Sequence, residues 1–157
     1  MNKLIKLVPI ITGLLLVACN SRGSNWQAGN LGSLQIAMES TTLNVSESKL
    51  VMASLSGAQQ GTDPIGSATV YFKVATSYSN GIFESSNIAT LAESSCVINN
   101  PISANLDERS CFVTLQGVSA GGANVYTWAV PNSPQNTNAP NNYNPLESYP
   151  YVSFTIN

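Results

Sequence analysis

From Leu34 onward the apolar residues of this chain recur at every second position, and no stretch spaces them three and four apart as a helix requires. Leu34, Ile36 and Met38 alternate with Gln35, Ala37 and Glu39. Val70, Phe72 and Val74 alternate with Tyr71 and Lys73, and Cys111, Val113 and Leu115 with Phe112, Thr114 and Gln116. Near the end, Val152, Phe154 and Ile156 alternate with Ser153 and Thr155. Successive side chains of a strand point to opposite faces, so this period describes half-buried β-strands. The runs Lys49–Leu55 and Asn124–Val130 add two more. Ala120-Gly121-Gly122 between Leu115 and Asn124 is a tight-turn signal, so residues 110–130 are expected to form a β-hairpin. Residues 82–100 are less legible, with room for one or two short strands. The count is about seven strands, which makes the chain all-β.

The first residues follow a different rule. Lys3 and Lys6 precede Leu7–Ala18, an uncharged apolar run, and the run closes on Leu16-Val17-Ala18-Cys19. A membrane span needs roughly 20 apolar residues, so this shorter run fits a signal segment. Pro9 and Gly13 within it argue against a permanent structural helix. Together these residues resemble the lipobox signal of bacterial lipoproteins. The resemblance covers residues 1–19. It implies that the Cys19 thiol is acylated, that the chain is cut before Cys19, and that the new amine is acylated too. Each buried methylene contributes about 0.8 kcal/mol, so two or three acyl chains hold stably. Asn20, where an Asp favours inner-membrane retention in that family, implies delivery to the outer membrane. The expected order is an N-terminal signal helix (1–18), a lipidated, glycine-rich tether (19–33) and one domain (34–157).

With Cys19 assigned to lipid, Cys96 and Cys111 form an even pair in an exported, oxidising setting, and a disulfide is expected. They bracket a turn-rich segment, and no C-x-x-C spacing supports a redox dithiol. The strand spacing suggests an antiparallel β-sandwich of immunoglobulin-like size, and the pattern is similar to bacterial immunoglobulin-like domains. The Cys-Trp-Cys order of antibody domains is absent. Trp128 follows both cysteines, which are too close in sequence to bridge the second and sixth strands.

Composition narrows the chemistry. There is no histidine, which removes Ser-His and Cys-His nucleophile pairs and histidine metal sites together. After removal of residues 1–18, four bases (Arg22, Lys49, Lys73, Arg109) face eight acids, a net charge of −4. Nucleic acid is therefore not an expected partner. An acidic domain also gains nothing from anionic headgroups, so the lipid alone would hold the membrane. No serine is read as sitting in a G-x-S-x-G elbow or an S-x-x-K frame, and without histidine the base would have to be Lys49 or Lys73, both in apparent strands. Gly117–Gly122 superficially resembles a phosphate loop but lacks the following Lys and joins two strands. Asp107 and Glu108, as neighbours on an extended chain, point apart. No enzyme activity, cofactor or metal is expected.

Aromatics are the residues left for function. Tyr126 and Trp128 share one face of a strand, and Tyr143, Tyr149 and Tyr151 lie in or beside residues 131–150, a stretch rich in Asn and Pro whose five prolines (131, 134, 140, 145 and 150) preclude a helix or a central strand. Tyr and Trp give rigid contact area at low entropy cost, which suits protein or glycan surfaces. These five form the candidate binding surface. Alternation alone leaves open whether Tyr126 and Trp128 face the core or the solvent, with the core favoured, because Val125 and Ala129 fit inward equally well. The expected function is a non-catalytic binding or adhesion module. Its rivals are a structural subunit joined through strand edges and a carbohydrate-binding module.

Overall fold

A computed structural model describes residues 31, 33–58, 67–132 and 149–157. The proposed signal, the lipidation site Cys19 and Tyr143 lie outside the described residues.

Ten strands form in the order β1 (Ser33–Met38), β2 (Thr42–Leu43), β3 (Ser48–Ser56), β4 (Ser67–Ser79), β5 (Ile82–Ser85), β6 (Ala89–Leu91), β7 (Ser95–Ile98), β8 (Ser110–Gly117), β9 (Gly121–Asn132) and β10 (Tyr151–Ile156). One sheet runs β1-β3-β8-β6; the other runs β2-β10-β9-β4-β5, with β7 also on β4. Lettered by position, these are the A-B-E-D and G-F-C sheets of an immunoglobulin-like sandwich, with β2 paired in parallel to β10. The expected fold class is thus the observed one.

The alternating residues behave as their period requires. Leu34, Ile36, Val51, Ala53, Leu55, Val70, Phe72, Val113, Leu115, Val125, Val152, Phe154 and Ile156 meet between the sheets in one core. Leu31, placed in the tether by sequence, is fully buried in that core. At about 25 cal/mol per Å² such burial is the main favourable term in folding. Ser54, Ser110 and Thr127 are the buried polar residues among those described; the Thr127 hydroxyl donates to the Tyr71 carbonyl at 2.9 Å and that of Ser110 to the Leu106 carbonyl at 2.6 Å.

Two expectations need correction. β8 and β9 do not form a hairpin: β8 pairs with β3 and β6, whereas β9 pairs with β4 and β10. The glycine turn carries the chain from one sheet to the other, and the Val118 and Ser119 amides fix it by donating to the Ile88 carbonyl at 2.7 and 3.1 Å. Pro131, expected to lie outside any central strand, is the penultimate residue of β9, opposite Ala68. The position is tolerated because β10 pairs only with Gly121–Tyr126, so Pro131 faces no strand on that side among the described residues.

Residues 82–100 hold three short strands, and they lace one side of the sandwich. The chain passes from β5 to β6 in the other sheet, back to β7 and across again to β8. Cys96 of β7 and Cys111 of β8 form a disulfide with Cα atoms 5.8 Å apart, so the bridge ties the two sheets together.

Candidate functional site

The outer face of the six-stranded sheet is aromatic. Register places Tyr71 beside Trp128 and Lys73 beside Tyr126, with Tyr151 on the other side of Tyr126. Val125, Thr127 and Ala129 take the inward positions of β9, which turns Tyr126 and Trp128 outward, away from the main core. They do not lie bare, however. A bulge in β4 between Ala75 and Ser77 bends the β4–β5 hairpin, as bulges do. The hairpin turns on Asn80 and Gly81, both with positive φ (51° and 80°), the backbone of the tight Asn-Gly turn. Tyr78 and Phe83 on its two arms thereby join a second apolar cluster with Ala75, Tyr126, Trp128 and Tyr149.

Within that cluster Trp128 is sandwiched. Its ring lies 5.6 Å from Tyr71 at 15° and 6.0 Å from Phe83 at 26°, both stacked. Lys73 Nζ sits 5.6 Å from the centre of the Phe83 ring, a cation–π contact. Tyr149 meets Tyr78 edge-on at 4.8 Å and packs on Phe83 at 5.4 Å. Tyr126 and Tyr149 are buried, Trp128 is half-buried, and Tyr71 and Tyr151 are exposed. Burial raises the Tyr126 pKa; it pushes that of Tyr149 to about 12, helped by Tyr78. Both phenols are therefore neutral hydrogen-bonding groups at physiological pH.

Beside this cluster runs an open groove of about 410 Å³. Tyr78, Tyr126, Tyr149 and Tyr151 form its aromatic part, and Thr76, Ser77, Asn124 and Ser153 its small polar part. Asn124 organises the polar side. Its Nδ2 donates to the Thr76 carbonyl at 2.9 Å, and its Oδ1 accepts from Ser153 Oγ at 2.7 Å. Ser77 Oγ donates to Glu84 at 2.9 Å, so a carboxylate outside the lining holds that hydroxyl in place.

Of the five residues singled out from sequence, the structure gathers Tyr126, Trp128, Tyr149 and Tyr151 on this face. Sequence reasoning missed Tyr78 and Phe83. The signal was available in Asn80-Gly81, which sits two residues after one ring and two before the other.

Other candidate chemistry is dispersed. Contrary to the expectation that no serine has a hydrolase frame, Ser46-Glu47-Ser48-Lys49 spells S-x-x-K, with Lys49 Nζ paired to Glu47 at 2.8 Å, and Gly117-Val118-Ser119-Ala120-Gly121 spells the G-x-S-x-G of a nucleophile elbow. The letters lack the context: an elbow joins a strand to a helix, whereas this turn joins strands of opposite sheets with Ser119 exposed. Glu108 accepts from the Asn100 side chain at 3.0 Å, and the Arg109 guanidinium donates to the Leu55 carbonyl at 2.8 Å.

No family model matches the chain, and no curated protein matches it significantly. Among solved structures it is similar to the D00-D0 domain of Intimin, with 14% identity over 79% of this chain and a TM-score of 0.47. It is also similar to domains 4 and 5 of the S-layer protein SbsC, with 16% identity over 78% of this chain and a TM-score of 0.38. A third is a conjugative transposon lipoprotein from Bacteroides eggerthii, at 8% identity, where 79% of this chain covers 96% of that one with a TM-score of 0.37. The chain spans 45% of the Intimin structure and 44% of the SbsC structure. With every one of these scores below 0.5, the fold assignment rests on the strand order above and on nothing borrowed from these proteins.

Proposed function

We propose that the protein is a non-catalytic binding module of the cell envelope, held by acyl chains on Cys19, and that the outer face of β10-β9-β4 is its contact surface. One observation carries this reading: the largest aromatic side chains of the domain lie on the face turned away from the main core, with Tyr71 and Tyr151 exposed at the margin. A domain that only needed stability would place such area between its sheets, where burial contributes most.

Two measurements test it. Native protein is expected in the membrane fraction with the mass of an acylated chain starting at Cys19, and Cys19→Ser is expected in the soluble fraction. Photo-crosslinkers placed at Tyr71 and Tyr151 in intact cells should give recurrent adducts that a crosslinker at Leu50, exposed on β3 of the opposite sheet, does not give. Equal labelling from all three positions would remove the site assignment.

A second reading, a structural subunit joined through strand edges, is favoured by the outermost strands beside β4. Ile82 of β5 and Val97 of β7 are 67% and 46% exposed there, and apolar side chains on an open edge invite pairing. Ile82→Lys would abolish assembly under this reading and leave the Tyr71 adducts intact under the first.

A further inference from the structure

We infer that the groove lined by Tyr78, Tyr126, Tyr149 and Tyr151 binds a neutral carbohydrate. The inference rests on the contact-surface reading above and names the ligand class for it.

The argument is the chemistry of the lining. Each of the eight lining residues carries a hydroxyl or an amide, and none carries a charge. Four of them also carry an aromatic ring, of which Tyr151 is exposed and Tyr78 half-buried, with the buried Tyr126 and Tyr149 rings behind them. A pyranose has the matching surface: C–H groups that lie against a ring face, and an equatorial belt of hydroxyls that both donate and accept. The Thr76, Ser77 and Ser153 hydroxyls give their protons to Glu84 and Asn124 and so accept from such a belt, while the Tyr151 phenol both donates and accepts. An anionic ligand would find no cation in the lining, and a cationic one no carboxylate. Lys73 is taken up by the Phe83 ring, and Glu84 is engaged by Ser77 and Thr76.

Size and organisation agree. A volume of about 410 Å³ lies toward the lower end of the ~300–1,000 Å³ typical of small-molecule sites, which suits one or two sugar units. Asn124 ties β9 to β4 through the Thr76 carbonyl and to β10 through Ser153, so the polar side is fixed before a ligand arrives. Preorganisation of this kind lowers the entropic cost of binding.

The test is an array of immobilised neutral and anionic oligosaccharides probed with the full chain, its Tyr151→Ala and Tyr151→Phe variants, and Leu50→Ala on the opposite sheet as control. The expected result is binding to one or more neutral glycans, weakened at least about tenfold by Tyr151→Ala and unchanged by Leu50→Ala. Tyr151→Phe keeps the ring and guards against a folding defect; an intermediate loss is expected from it. On adding the bound oligosaccharide, the Asn124 side-chain amide resonances should shift. Absence of glycan binding, preference for anionic glycans, or binding indifferent to Tyr151→Ala overturns the inference. Should protein adducts recur at Tyr71 and Tyr151 while the array stays blank, the contact surface stands and the carbohydrate assignment falls.

Discussion

Gly117 shows how tightly single positions are constrained. A Cβ there would lie 2.7 Å from the Asn44 carbonyl oxygen and 3.3 Å from Ile156 Cδ1. The backbone cannot retreat, because the Gly117 amide donates to Glu47 and its carbonyl accepts from Ser46. Gly117→Ala should therefore lower stability by ~1–3 kcal/mol, readable as a drop in the urea midpoint at constant slope. The buried phenols supply a second prediction at this scale. Tyr126 and Tyr149 have raised pKa values in the folded state, so the folded form favours the protonated phenol. Their contribution to stability is complete below the ordinary tyrosine value of about 10. It is lost as the pH rises through the folded-state values, about 12 for Tyr149. Melting temperature should fall over this alkaline range, and Tyr149→Phe should flatten the fall. Phenolate absorbance lost in Tyr149→Phe should be the part that develops above the ordinary tyrosine value.

At the scale of elements, the β4–β5 hairpin seats Tyr78 and Phe83 over Tyr126 and Trp128. Gly81 has φ of 80°, where a branched side chain is strained, so Gly81→Val should destabilise the turn by about 1–2 kcal/mol. With Trp26, the other of the chain's two tryptophans, replaced by Phe, the fluorescence of Trp128 should shift red as Phe83 leaves its ring. Elements also show what the sequence could reveal. The inward triplets of β1, β4, β8 and β10 were legible because each strand has one apolar and one mixed face. β9 was ambiguous because both its faces are apolar: Val125 and Ala129 point inward, Tyr126 and Trp128 outward. The glycine turn at 120–122 was read as a hairpin because a tight turn has the same composition whether the next strand pairs with the last or crosses to the other sheet. β5, β6 and β7 were obscure because strands of three or four residues bury too few side chains to establish a period. The groove was out of reach, since it joins residues from 76 to 153 that only the sheet register brings together.

For the molecule as a whole, the Cys96–Cys111 bridge closes a separation of 15 residues and ties sheet to sheet. Replacing both cysteines by Ala should cost about 3 kcal/mol by the loop-closure argument, measured as a lower melting temperature that added reductant does not lower further. Wild type should melt lower in reductant than without it. The lacing also divides the domain mechanically. If the chain is tethered through its N-terminal side, tension enters at Leu31 and passes first into β1, an outermost strand whose only ladder among the described residues is its six residue pairs with β3. The aromatic face lies on the other sheet, and the disulfide clamps the side farther along. Under load β1 should peel first, lengthening the tether by roughly 20 Å at about 3.3 Å per residue while the groove keeps its shape. An edge strand that looks like the weak margin of the sandwich would then act as a shock absorber between a moving partner and a fixed anchor.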